Sequence, residues 1–137
     1  ICSAIVDVPG CSQVFYEGIV AYDNESKEER LGVYAHSLKE SGAVSAEVCS
    51  QMALGIIKSN NTDISVSTTG IAGPDGATEE KPVGLTYIAI ADIDKCEVFK
   101  HIFTGDRDSI RKVAANTALF YLINRLKQPT DFSKMVI

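Results

Sequence analysis

Residues 62–105 read TDISVSTTGIAGPDGATEEKPVGLTYIAIADIDKCEVFKHIFTG. The opening TDISVSTTG is rich in β-branched residues and predicts a strand over residues 63–69. The closing part holds two apolar runs around DIDK and predicts an antiparallel hairpin. Between them lies IAGPDGATEEKPVG, a loop of glycines, prolines and polar residues. A strand, a long glycine-rich loop and a hairpin set the sheet of the domain. The rest of the chain supplies what packs on it.

Working outward, DRDSIRKVAANTALFYLINRLKQ predicts a long helix. Asp106 or Asp108 stands near its start, Ile110, Val113, Ala114, Ala118 and Leu122 share a face, and Pro129 is the expected stop. Upstream, SAEVCSQMALGIIKSNN predicts a helix capped by Ser45, with Val48, Met52 and Ile56 four apart. SLKESG reads as a helical turn closed by Gly42. NESKEERLGV reads as a helix capped by Asn24, with Glu28 and Glu29 near its start. EGIVAYD alternates and predicts a strand over residues 17–23. CSQVF begins a short helix or turn after Pro9-Gly10, and residues 1–7 read as the tail of a helix. The alternation predicts an α/β fold, three-layer α/β/α with a mixed sheet, in a single domain.

The chain has 137 residues, 45% of them hydrophobic and 23% charged, with a formal net charge of −5. That suits one domain with a sizeable core. The acidic balance argues against a broad nucleic-acid surface, which needs clustered Lys and Arg. No apolar run reaches the roughly 18 residues of a membrane span, and no secretory leader pattern opens the chain. A cytoplasmic location is expected, with no nucleic-acid or membrane partner. The four cysteines are scattered, and His36 and His101 stand far apart, so neither a metal site nor a cofactor is expected. Free thiols in a reducing compartment are the simpler reading.

The glycine-rich loop leaves the C-terminal end of a predicted strand, where ligands bind in open α/β sheets. Thr68 and Thr69 offer hydroxyls, Gly70 and Gly73 allow close approach of backbone N–H groups to an anion, and Lys81 adds a charge. The spacing is neither that of a Walker loop nor that of a dinucleotide fingerprint, so phosphoryl transfer is disfavoured. From these residues alone, a ligand wall and a plain surface connection both stand.

The stretch TTGIAGPDGATEEKPVG resembles the signature TGIAGPxGGTxxKPVG of the CinA C-terminal domain family, the nicotinamide mononucleotide deamidases. DVPGCSQVF, GIVAYDNESKEERLGV, GAVSAEVCSQMALG and FTGDRDSIR agree in the same order, so the likeness spans most of residues 5–125. It implies one amidohydrolase domain over residues 1–137, lacking an N-terminal element. Family members carry an upstream segment like ESCTGG, with a further serine near the site. The implied reaction is hydrolysis of the carboxamide of nicotinamide mononucleotide (NMN) to nicotinate mononucleotide and ammonia, by a serine and a lysine.

Carried over motif by motif, the catalytic residues are Ser12 of PGCS, Tyr22 of VAYDN and Lys27 of NESK. Thr69, Gly70 and Gly73 of the loop, with Arg107 and Arg111 of GDRDSIR, would contact substrate. The arginines would hold the 5′-phosphate at the start of the last helix. Cys11 stands where many members have serine, and Ala77 where glycine is usual. Plainer readings stay open for each residue. Ser12 can cap a turn, Tyr22 can be a buried strand aromatic, and Lys27 can lie on a solvated helix face. Arg107 and Arg111 can pair with Asp106 or Asp108. The expected partner is a small nucleotide, and self-association is left open. The competing function is a catalytically silent nucleotide-binding or oligomerisation module on the same fold.

Overall fold

A computed structural model describes residues 1–127. The chain runs through α1 (Cys2–Val6), a short 3-10 turn (Cys11–Gln13), α2 (Asn24–Leu31), α3 (Ala35–Glu40), α4 (Ala46–Asn60), β1 (Ile64–Gly70), β2 (Leu85–Asp92), β3 (Cys96–Ile102) and α5 (Arg107–Lys127). Pro129 and the tail beyond it lie outside the described residues.

The strands pair in the order β1-β2-β3. Both pairings are antiparallel, with Ile88 opposite Thr68 on one side and Phe99 on the other. The hairpin turn sits where DIDK predicts it. Asp92 shapes it, with Oδ1 accepting from the amides of Asp94 at 2.9 Å and Lys95 at 3.0 Å.

The alternation of side chains along β2 builds three layers. Ala89 and Ala91 face one way and pack with Cys49 and Ala53 of α4. Ile88 and Ile90 face the other way and pack with Ala118 of α5. Small alanines thus stand under α4 and larger isoleucines under α5. The next ridge of α4, Val48 and Met52, meets Leu31 of α2, Leu38 of α3 and Val33 between them.

β1 adds a row of hydroxyls to the face beneath α4. Ser65 Oγ donates to the Ala53 carbonyl at 2.7 Å, and Ser67 Oγ donates to the Cys49 carbonyl at 2.6 Å. Two buried polar side chains thereby find partners on the helix backbone, which removes the cost of burying them bare. Ser45 caps α4 as expected, its Oγ accepting from the Val48 amide at 3.2 Å.

Three details differ from expectation. Residues 17–23 form no strand, and among the described residues the sheet is antiparallel throughout rather than mixed. The alternation itself is present: Ile19 and Ala21 pack inward against the α2–α4 cluster, while Val20 and Tyr22 stand 86% and 84% exposed. β-propensity extends this segment, but a strand also needs a ladder partner, and no described strand pairs with it. The cap of α2 is Asp23, one residue before the expected Asn24. Its Oδ1 accepts from the Glu25 amide at 2.9 Å.

Candidate functional site

Lys27 is the expected site residue with the most distinctive surroundings. It lies one turn into α2, and helical side chains lean toward the N-terminus. Its amine therefore folds back onto the chain entering the helix. Nζ donates to the Tyr22 carbonyl at 3.0 Å and to the Asp23 carbonyl at 3.3 Å. Lys27 is only 6% exposed, which overturns the solvated-face reading. Burial holds its pKa below the ordinary lysine value, while the Asp23 carboxylate pulls weakly the other way. A neutral amine keeps two N–H bonds, enough for both carbonyls, and leaves a lone pair to accept a proton.

Ser12 lies on the short turn Cys11–Gln13 and is exposed. An open recess of about 270 Å³ adjoins it, lined by Ser12, Gln13, Val14, Phe15 and Tyr16. Neither Tyr22 nor Lys27 lines that recess. The Tyr22 ring is exposed, which overturns the buried-aromatic reading. Its carbonyl, not its phenol, meets the lysine. Among the expected catalytic residues, the structure thus joins Tyr22 to Lys27 through backbone and leaves Ser12 in a recess of its own.

The loop residues are committed to structure. Thr69 was expected to offer its hydroxyl to the site. Instead it donates to the Ala43 carbonyl at 2.7 Å, completing the row begun by Ser65 and Ser67. The alternation of hydroxyl residues in ISVSTTG is the sequence signal for that row. Gly70 is bare because of the sheet: a Cβ there would lie 2.7 Å from the Leu85 carbonyl oxygen. Gly73 is buried with φ +75°, and a Cβ would lie 2.8 Å from Val83 Cγ1. Gly73→Val is therefore expected to lower stability by about 2–4 kcal/mol, because a β-branched residue at positive φ is strained and has no room. Thermal unfolding checks this, and an unchanged Tm would contradict it.

Arg107 Nη1 donates to the Gly73 carbonyl at 2.9 Å, so this guanidinium braces the loop. Arg111 is exposed one turn further along α5. The first turn of α5 is capped by Asp106, whose Oδ1 accepts from the Ser109 amide at 2.8 Å. Asp108 pairs with Lys112 at 2.6 Å and with neither arginine. A second recess of about 240 Å³ is lined by Ile90, Glu97, Phe99, Tyr121, Asn124 and Arg125 and contains none of the expected site residues.

A family model, the CinA C-terminal domain, matches the chain over residues 1–126. The chain belongs to the CinA C-terminal domain family. A CinA-like protein of Endomicrobium trichonymphae is 49% identical over 126 residues, covering 92% of this chain and 29% of the relative. A CinA-like protein of Geobacter sulfurreducens is 48% identical over 126 residues, covering 92% of this chain and 30% of the relative. The chain thus spans about three-tenths of the curated relatives it matches. Among solved CinA-family structures, the competence/damage inducible protein CihA of Agrobacterium tumefaciens superposes with TM-score 0.87 at 35% identity, covering 90% of this chain and 76% of that one. The competence damage-inducible protein A of Klebsiella pneumoniae superposes with TM-score 0.89 at 26% identity, covering 94% of this chain and 80% of that one. The helical layers and the antiparallel hairpin are thus the CinA architecture. No helix among the described residues is long and apolar enough to cross a membrane.

Proposed function

We propose that this CinA domain serves hydrolysis of the carboxamide of NMN, with Lys27 as the general base and Ser12 as the nucleophile. The observation that supports it is the buried Lys27 amine, held by two carbonyls and shifted toward its neutral form. A serine hydroxyl is inert near neutral pH without such a base. In the proposed reaction Ser12 Oγ attacks the carboxamide carbon as its proton passes to Lys27 Nζ. The tetrahedral intermediate expels ammonia, which takes that proton. Water then attacks the resulting ester, Lys27 again receiving the proton, and nicotinate mononucleotide leaves as Ser12 is restored.

The reading requires the Ser12 turn to approach α2 when substrate is bound. The separate recess at Ser12 and the exposure of Tyr22 favour the second reading, a silent nucleotide-binding or oligomerisation module. Ammonia release from NMN, measured beside calorimetric NMN binding, separates the two. For the enzyme, kcat/KM is expected to rise with pH as Lys27 loses its proton, and to level off below the ordinary lysine value near 10.4. The same shift has a stability consequence of the same sign. The unfolded chain keeps the Lys27 proton where the folded chain has released it, so stability gains as pH rises through that window. NMN binding with no ammonia release at any pH would overturn the catalytic reading.

A further inference from the structure

Lys81 enters the sequence as one more charge in the glycine-rich loop. In the structure its amine crosses to another part of the fold and donates to the Ser41 carbonyl at 2.6 Å. Ser41 is the residue that ends α3, where helix carbonyls have no partner further along the helix. Lys81 therefore caps α3 from a loop forty residues away in sequence.

The approach is built on both sides. On the loop side, the Thr78 amide donates to the Lys81 carbonyl at 2.9 Å, and the Lys81 amide donates to Thr78 Oγ1 at 3.1 Å. This tight turn presents the lysine. On the receiving side, Gly42 has φ +74°, and a Cβ there would lie 3.1 Å from Lys81 Nζ. The Ser41 hydroxyl is itself fixed, donating to Glu47 Oε2 at 2.7 Å, while Ser37 Oγ donates to Oε1 at 2.6 Å. Those bonds hold the Glu47 carboxyl below its usual range, the Ser37 bond foremost.

Two further bonds join the same pieces. Thr69 reaches the Ala43 carbonyl, and Arg107 reaches the Gly73 carbonyl. Turn 41–45, the end of β1, the glycine-rich loop and the start of α5 thus form one tied unit. Of the three ties, only Lys81 links the far arm of the loop to the turn.

We infer that Lys81 is a positioning residue, which holds the glycine-rich loop at a set distance from turn 41–45, and that the loop so held forms a wall of the substrate site. The kinetic part of this inference rests on the proposed NMN activity, while the mechanical part does not. A lysine whose amine ends on a carbonyl inside the fold contributes geometry. Its loss frees the loop without removing a reacting group.

The test compares Lys81→Met, Lys81→Arg and the parent by amide hydrogen exchange and by NMN kinetics. Met keeps the apolar stem and loses the donor, while Arg restores a donor. Exchange is expected to accelerate in residues 41–45 and 71–84 together in Lys81→Met, and to return toward parental rates in Lys81→Arg. KM for NMN is expected to rise roughly tenfold in Lys81→Met with kcat within about threefold of parent, because the wall is displaced and the base is untouched. Parental exchange in both segments would overturn the inference, whatever the kinetics. Faster exchange with an unchanged KM would overturn its substrate part. A parent that releases no ammonia from NMN would sink the proposed function instead, and exchange would still decide the mechanical tie.

Discussion

Lys27→Gln is expected to cut ammonia release from NMN by about 10²–10⁴-fold, the usual worth of a positioned general base. Glutamine is close to lysine in polarity but has no proton-accepting nitrogen near neutral pH. The alkaline rise of kcat/KM should vanish with it, which a lost packing contact alone would not bring about. The structural cost is small but real. The side chain is buried and donates to two carbonyls, so losing one bond should cost about 1 kcal/mol. Circular dichroism and thermal unfolding establish that the variant is folded, and an ammonia assay across pH reads the rest. A folded variant with parental turnover would remove Lys27 from the chemistry and leave it as a brace for residues 22–23.

The largest stability effect is expected at Gly84. Its φ is +91°, and a Cβ there would lie 1.8 Å from the Phe103 carbonyl oxygen. The contact is backbone on backbone, so no side chain can turn away to relieve it. Gly84 also holds the loop to the sheet, its amide donating to the Ile71 carbonyl at 2.7 Å while its carbonyl accepts from the Phe103 amide at 3.0 Å. Gly84→Ala should therefore cost about 3–5 kcal/mol and lower Tm by on the order of 10–20 °C. Gly10 is the internal control. It has φ +86° with nothing within 4 Å of an added Cβ, so Gly10→Ala should lose only the backbone term, about 1–2 kcal/mol. Differential scanning calorimetry of the two variants separates close approach from strain. Equal Tm losses would show that the Phe103 contact relaxes at no cost.

Local patterns carried much of this fold. Ser45 with Val48 and Met52 marks α4, because a cap and a four-residue apolar spacing are both local facts. The runs on either side of DIDK mark the hairpin for the same reason, and Asp92 closes its turn within three residues. The five motifs in order mark the family, which the match over residues 1–126 establishes. Where the outcome depended on a partner distant in sequence, the local pattern was silent or misleading. EGIVAYD alternates as a strand does, yet pairing is a property of two segments, and no described strand supplies the second.

The candidate site divides along the same line. The sequence alone determined which residue types stand in the family's motif positions, Ser12, Tyr22, Lys27, Thr69, Arg107 and Arg111 among them. Only the tertiary structure decided what their atoms touch. Lys27 sits in NESKEER, as polar a context as the chain offers, and is nevertheless buried, its amine folded onto the Tyr22 and Asp23 carbonyls. Thr69, Lys81 and Arg107 look like ligand contacts, and each ends on a backbone carbonyl 26, 40 or 34 residues away. A side chain's chemistry is inherent in its residue type. Its partner, its burial and its pKa are set by segments that meet only when the chain has folded.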